Sequence, residues 1–480
     1  MTNSSSAYRW SAVALVSRLG IQVVGSVVIA RILGPEGFGL ASQVTAISAV
    51  LFVVCGFAFN GSLQTRNNLD GSWIRQVVIG DLAVFGLVAV GTLALAIYMA
   101  QCGNGVLGEM FMILVIAILG QALSGFSVGC LSRGLRFREV GIAELIGPLV
   151  GVGLGIWLAL LGFGAVSIAW QFAVTELLIG VLSSVFAVLH RGDLSRTFVG
   201  EVEFGHYYSL RMAASQLLTQ SWRNLDNVMI GILLGAVTLG NYSISYRLIT
   251  VTVTAFGSVI GRVSLPAMRH ALDRSTAFAG EEFLRISCGV VLIGAPACGL
   301  MFAWADFLVL QIFGAEWSGA VSILQVLSLS APFQLLLVIC APALHVLGRS
   351  SLVVLSNAFL CIWVVVSVYA LSTFGIVWVS SGIAVGCVLV TTQYVEVCRR
   401  ALKLRATSMY LPLAYGTVAF GFTVLLGSLV ESPSNWAVAG SLGALFVLGG
   451  IGGVVLLPHR YWYGLQFWIA FLGRKADVRV

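Results

Sequence analysis

The stretch ILGPEGFGLAS, Ile32 to Ser42, returns as LLGAVTLGNYS, Leu233 to Ser243, with identities at Leu33/Leu234, Gly34/Gly235, Gly39/Gly240 and Ser42/Ser243. A duplicated segment inside a very apolar chain is the usual mark of a transporter built from internal repeats. In such proteins each half supplies one wall of a central cavity, and rocking of the halves exposes that cavity to alternate sides of the membrane. A second pair supports the alignment: SLQTR (Ser62 to Arg66) lines up with SLPAMR (Ser264 to Arg269). The chain therefore reads as moving a substrate, not transforming one.

Hydrophobic residues make up 59% of the 480 and charged residues 9%, and the mean hydropathy is +1.00, so lipid is the solvent for most of the chain. A bilayer-spanning helix needs ~20 apolar residues. Runs between charged and turn-rich breaks give fourteen, near 10–30, 39–63, 76–99, 109–131, 141–161, 165–189, 207–233, 238–261, 284–304, 319–343, 351–372, 375–397, 409–430 and 436–457. The runs are continuous, not alternating, which excludes a closed β-barrel. The expectation is an all-α polytopic membrane protein with two pseudo-symmetric six-helix lobes plus two C-terminal helices. Residues 1–200 form the N-terminal lobe with helices 1–6, and 201–400 the C-terminal lobe with helices 7–12. Residues 401–480 add helices 13–14 and a cytoplasmic tail.

Composition removes several functions. No G-x-x-x-x-G-K-[ST] occurs and the lysines are Lys403 and Lys475, so no P-loop energy source lies in this chain. The 55 glycines read as close helix packing, because lipid offers no hydrophobic force between helices and backbone approach must supply contact. The nine cysteines and five histidines are scattered, giving neither a disulfide framework nor a metal cluster. No catalytic residue, metal or cofactor is expected, and the first apolar run, interrupted by Arg18, reads as a retained helix and not a cleaved signal.

Basic residues sort by side. Arg66 and Arg75 follow helix 2, Arg133, Arg136 and Arg138 follow helix 4, and Arg262, Arg269 and Arg274 follow helix 8; Arg399, Arg400, Lys403 and Arg405 follow helix 12. Even-numbered exits are then cytoplasmic and both termini lie inside. The net charge of +7 is largely this bias, so no nucleic-acid partner is implied. Two aromatic segments, 305–318 with Trp304 and Trp317, and 461–475, are expected to lie along the membrane interface.

With these motifs in place, the chain resembles the oligosaccharide flippases, the polysaccharide transporter branch of the multidrug/oligosaccharidyl-lipid/polysaccharide exporter superfamily. The resemblance rests on ARILGPEGFGLAS (Ala30 to Ser42), LSRGLRFRE (Leu131 to Glu139) and NLDNVMIGILLGAVTLGNYSISYRL (Asn224 to Leu248), and its most specific element is R-x-L-G-x-x-x-x-G after a first helix. It implies a bacterial inner-membrane protein that carries undecaprenyl-diphosphate-linked oligosaccharide from the cytoplasmic to the periplasmic leaflet, for lipopolysaccharide or exopolysaccharide biosynthesis. Its implied partners are lipid-linked oligosaccharide and membrane lipids, with polysaccharide polymerase and export machinery as candidates.

Charges inside spans are costly, so each is a functional candidate weighed against structural pairing. Arg18, near the middle of helix 1, could grip a diphosphate bidentately or pair with Glu176. Arg223 and Asp226, three apart on helix 7, could neutralise each other. Arg247 on helix 8 has no carboxylate close in sequence, so Arg18, Arg223 and Arg247 are the candidate diphosphate ligands. Glu176 and Asp226 are the candidates for ion coupling, while Asp81 and Glu144 are expected to snorkel to the interface. Arg31, Gly34, Pro35, Gly39, Gly235 and Gly240 read as architectural, allowing a tight reversal and close helix approach. Three alternatives stay open at this point. A lipid II flippase shares fourteen helices; a drug/cation antiporter of the same superfamily usually has twelve and a carboxylate-rich first lobe; a glycan polymerase would carry a large outer loop.

Overall fold

The computed structural model describes residues 3–65, 71–134, 136–189, 206–405, 408 and 410–429. They form helices α1 (Asn3–Thr65), α2 (Gly71–Gln101), α3 (Gly105–Arg133), α4 (Phe137–Leu160), α5 (Val166–Leu189), α6 (His206–Leu234) and α7 (Ala236–Arg274). There follow α8 (Thr276–Ala303), α9 (Ala305–Ile312), α10 (Gly319–Val346), α11 (Ser350–Leu371), α12 (Ile376–Ala401) and α13 (Leu411–Leu429). Two 3-10 turns, Ala315–Trp317 and Ser372–Phe374, complete the connections. The fold is all-α, as the apolar periodicity requires. Expected spans 1 to 13 fall on these helices; the fourteenth and the aromatic tail at 461–475 lie outside the described residues.

The opening motif explains why one helical run, α1, carries the first two expected spans. Gly34 takes φ 66 and ψ −178, which breaks α1 into two arms at a single residue. Glycine adopts that left-handed φ without steric cost, and Pro35 then starts the second arm, where its missing N–H removes no hydrogen bond. Gly235, the repeat counterpart, has φ 84 and separates α6 from α7 in the same way.

The two copies of the motif also touch. A Cβ on Gly39 would overlap the Ala236 carbonyl oxygen, and a Cβ on Gly240 would overlap the Pro35 carbonyl oxygen. Ala236 is the repeat counterpart of Pro35, so the contact is reciprocal. Backbone meets backbone because neither crossing glycine has a side chain to hold the helices apart.

The chain divides into two compact units, Met1–Gly240 and Asn241–Val480. α6 packs against α1 and belongs to the first of these units. In that unit α5 packs on α3 and α4, and α1 packs on α3 and α4 as well. Gly147, Gly151 and Gly155 of α4 meet Ile179, Thr175 and Gln171 of α5, an antiparallel crossing. Gly120 of α3 abuts the Glu176–Leu177 backbone, while Ser127 and Ser183 hydrogen-bond at 2.7 Å, so α3 and α5 run parallel. In the second unit α8 packs on α10 and α13, and α12 on α10 and α11. There Gly299 abuts Thr423, Gly416 abuts Val291 and Gly427 abuts Ala303, which docks α13 along α8.

The segment 305–318, expected to lie along the interface, forms α9 and a 3-10 turn, and Trp304 and Trp317 are buried, with Phe313 and Trp317 ring centroids 5.9 Å apart. Asp306, Leu310, Gln311 and Glu316 are exposed.

Among the described residues ten helical stretches are long and apolar enough to cross a membrane.

The reciprocal crossing makes a test. Alanine normally gains about 0.5–1 kcal/mol over glycine inside a helix, yet at Gly39 or Gly240 its Cβ would collide with fixed backbone, an overpacking that costs about 1–3 kcal/mol. Gly39→Ala and Gly240→Ala are therefore expected to lower the melting temperature of the detergent-solubilised protein. Gly86→Ala on α2, where a Cβ meets open space, is expected to leave it unchanged or raise it. Equal melting temperatures across the three would overturn the assignment of the crossing as a packing constraint.

Candidate functional site

Three charged arrangements occupy the spans. The first lies in the unit Met1–Gly240, where α1, α4 and α5 converge. Arg18 sits midway along the first arm of α1 and its Nη1 lies 3.7 Å from Glu144 Oε1 on α4, with the two side chains 31% and 33% exposed. Arg18 and Glu144 are also the charged groups that bear on Glu176 of α5. Within ion-pair distance Arg18 meets Glu144, while Glu176 feels the charge of both.

Glu144, expected to snorkel to the interface, is half-buried and paired with Arg18. A signal was present: Glu144, Gly147, Gly151 and Gly155 fall at i, i+3, i+7 and i+11, one face of a helix. That face meets α5. On α1, Gly25 lies two turns from Arg18 and packs against Val152 of α4, so the first arm of α1 and α4 run parallel and the pair is held from both sides.

The second arrangement is on α6. Thr219, Gln220, Arg223, Asn224 and Asn227 are all half-buried and recur at helical spacing, so they form a polar stripe. The Arg223 guanidinium lies 5.6 Å from the Trp222 ring centroid, within cation–π range. Its Nε and the Trp222 Nε1 are buried without a hydrogen-bond partner. Asp226, by contrast, points inward at 2% exposure and accepts from the Asn227 backbone N–H at 2.7 Å. Sequence spacing puts Arg223 and Asp226 on one broad face, but the structure turns one to the rim and the other to the core.

The third arrangement is on α7, in the unit Asn241–Val480. Ser243, Tyr246, Arg247, Thr250 and Thr254 follow the spacing i, i+3, i+4, i+7 and i+11, with Arg247 exposed and the others half-buried. Ser245 on the opposite side is buried and donates to the Ala320 carbonyl of α10 at 2.8 Å, which fixes the stripe's orientation. Among the described residues no carboxylate lies within ion-pair distance of Arg247. Arg223 and Arg247 stand twelve residues on either side of Gly235. At 1.5 Å per residue each is ~18 Å along its own helix from that break, near the middle of a ~30 Å hydrocarbon layer.

These stripes are a pattern that sequence reasoning reduced to single arginines. A contrast comes from the end of α12, where Glu396 takes two contacts of 2.7 Å from Arg399 and a third of 2.7 Å from Arg400. That is a tight, bidentate structural cluster; the pair at Arg18 is single and long. The motif residues Arg31 and Glu36 flank the Gly34 break and are exposed. No cluster of three or more His, Cys, Asp or Glu residues suited to a metal occurs among the described residues.

Residues 28–322 match the family model described as polysaccharide biosynthesis protein. The chain is 24% identical over 322 residues to the succinoglycan biosynthesis transport protein ExoT of Rhizobium meliloti (strain 1021), covering 67% of this chain and 65% of that one. It is 24% identical over 336 residues to the lipopolysaccharide biosynthesis protein WzxC of Escherichia coli (strain K12), covering 66% and 65%. The matches thus span just under two thirds of these relatives' own length. Among solved structures, the lipid II flippase MurJ in an inward closed conformation is similar with a TM-score of 0.69 at 11% identity, covering 97% of this chain and 99% of that one. That likeness is one of fold. The family match takes in more than half of the chain and both copies of the glycine motif, and on it the chain belongs to the polysaccharide biosynthesis protein family.

Proposed function

We propose that this chain translocates undecaprenyl-diphosphate-linked oligosaccharide from the cytoplasmic to the periplasmic leaflet by alternating access, in lipopolysaccharide or exopolysaccharide biosynthesis. The observation that carries the reading is Arg247: an accessible arginine ~18 Å along α7 from the Gly235 break, on a polar stripe, with no carboxylate within ion-pair distance among the described residues. A cation at the centre of a spanning helix costs ~2.5–3.5 kcal/mol on insertion scales. Retaining one without an internal counter-charge fits an anionic ligand, and a diphosphate is matched by the planar fork of arginine. Arg223 on α6 presents a second guanidinium, and Arg18 a third that must first leave Glu144. Hydroxyl and amide groups along the stripes suit a glycan head group, while the polyprenyl tail stays in lipid.

The relatives named for succinoglycan transport and lipopolysaccharide biosynthesis support the substrate class. The basic exits after α3, α7 and α12 support an inner-membrane location with cytoplasmic termini. A polysaccharide polymerase and export machinery are the partners this role requires downstream. Glu176 and Asp226 are the carboxylates proposed for ion coupling.

Loss of one charged hydrogen-bond partner costs about 1.5–3 kcal/mol, which is roughly a tenfold to hundredfold loss of affinity. Cells lacking the protein are expected to accumulate lipid-linked oligosaccharide on the inner leaflet. Wild type relieves this, and Arg223→Ala and Arg247→Ala do not at matched membrane levels. Normal outer-leaflet delivery in cells lacking the protein would overturn the proposal. A block in peptidoglycan precursor delivery instead would favour a lipid II substrate.

Arg18 has a separate test. Exchanging the pair as Arg18→Glu with Glu144→Arg keeps an ion pair but moves the cation from α1 to α4. Delivery restored to wild-type level in the double variant would make the pair purely structural. The expectation is restored membrane levels with delivery still lost.

A further inference from the structure

Arg18 is ion-paired with Glu144, and Glu176 of α5 lies near enough to feel the charge of both, so one guanidinium serves two carboxylates of which it contacts one. Among the described residues, the charged groups facing Glu176 are Arg18 from α1 and Glu144 from α4, while α3 offers it only the close approach of Gly120. Glycine crossings on α3, α4 and α1 fix the backbones beneath these groups, so the carboxylates cannot move apart easily. The guanidinium is the movable member. Its contact with Glu144 is single and 3.7 Å long, and a third of each side chain is open. A charge-assisted hydrogen bond in good geometry is about 2.7–2.9 Å, as the Glu396 cluster shows within the same chain.

We propose that Glu144 and Glu176 are competitors of the substrate diphosphate for Arg18, and that release of Arg18 to the diphosphate is accompanied by uptake of one proton between the two carboxylates. The inference rests on the diphosphate reading above and adds Glu144 and a stoichiometry to it. With Arg18 in place, the cluster carries one positive and two negative charges. When Arg18 turns to the diphosphate, two like charges remain on fixed backbones in a poorly solvated layer, and one proton on a glutamate oxygen restores the original net charge of the cluster. Substrate binding and proton binding then favour each other by linkage. Glu144, on this account, is a positioning residue that acts through Arg18.

The test uses the full-length protein in detergent and a synthetic diester of farnesyl diphosphate with N-acetylglucosamine, whose own charge is constant through the range studied. Binding is followed from about pH 5.5 to 8, with proton uptake read by an indicator dye in weak buffer. For wild type the expectation is uptake of close to one proton per bound ligand and an affinity that falls roughly tenfold per pH unit in the upper part of the range. Glu144→Gln is expected to bind more tightly at high pH and to lose both the uptake and the pH slope. Glu176→Gln carries the same expectation and serves if the first variant fails to fold. Wild-type binding with no proton uptake, or an unchanged pH slope in both variants, would overturn this inference and leave the diphosphate reading standing. Absence of wild-type binding at every pH would sink the diphosphate reading itself.

Discussion

The fold depends on helices approaching to backbone contact in a solvent that does not push them together. In lipid, apolar side chains gain nothing by leaving the solvent for one another, so close van der Waals contact must hold the helices. The reciprocal crossing of Gly39 on Ala236 and Gly240 on Pro35 is the clearest instance. It also explains the duplicated sequence. Each copy supplies a left-handed glycine to turn the chain, a residue whose carbonyl is approached, and a glycine that does the approaching. A change in either copy would separate both contacts, so the two motifs are constrained together.

The same principle places the charges. Between α4 and α5 the contact is a row of three glycines against Thr175, Ile179 and Gln171, and between α3 and α5 it is Gly120 against the Glu176 backbone. Helices held that closely leave little room for a long side chain to adjust, so a carboxylate on the shared face stays where its backbone puts it. Arg18 has a long flexible stem and is the group able to exchange partners. The long Arg18–Glu144 contact differs from the Glu396 cluster, where three short contacts tie residues of a single helix end.

How much of this could be read in the sequence follows from which signals are local. The glycine motif, the reversals at Gly34 and Gly235 and thirteen of the spans were legible, since each depends on nearby residues or on a run of apolar ones. The alignment of Glu144 with Gly147, Gly151 and Gly155 is legible in the sequence, but its partner is not. The Arg18–Glu144 contact joins two helices far apart in sequence, and no local pattern encodes it. The tryptophans bounding 305–318 mark an apolar segment in the sequence, and the burial of both is set by tertiary packing.

The polarity of α6 and α7 completes the physical picture. A spanning helix reaches lipid with few polar groups unless something else satisfies them, because unsatisfied polar groups in hydrocarbon cost several kcal/mol each. On α7 the opposite side is committed: Ser245 is buried and bonded to α10, and Ile249 and Val253 are buried beside it. The stripe through Ser243, Arg247, Thr250 and Thr254 therefore has an orientation imposed by packing. On α6 the buried residues Trp222, Asp226 and Ile230 define a similar inward line, four residues apart, with Arg223 and Asn227 next to it at the rim. Both helices thus give up lipid compatibility along one line while keeping a packed line alongside. That arrangement lowers stability relative to an apolar helix, and a polar ligand of the kind proposed above would account for it.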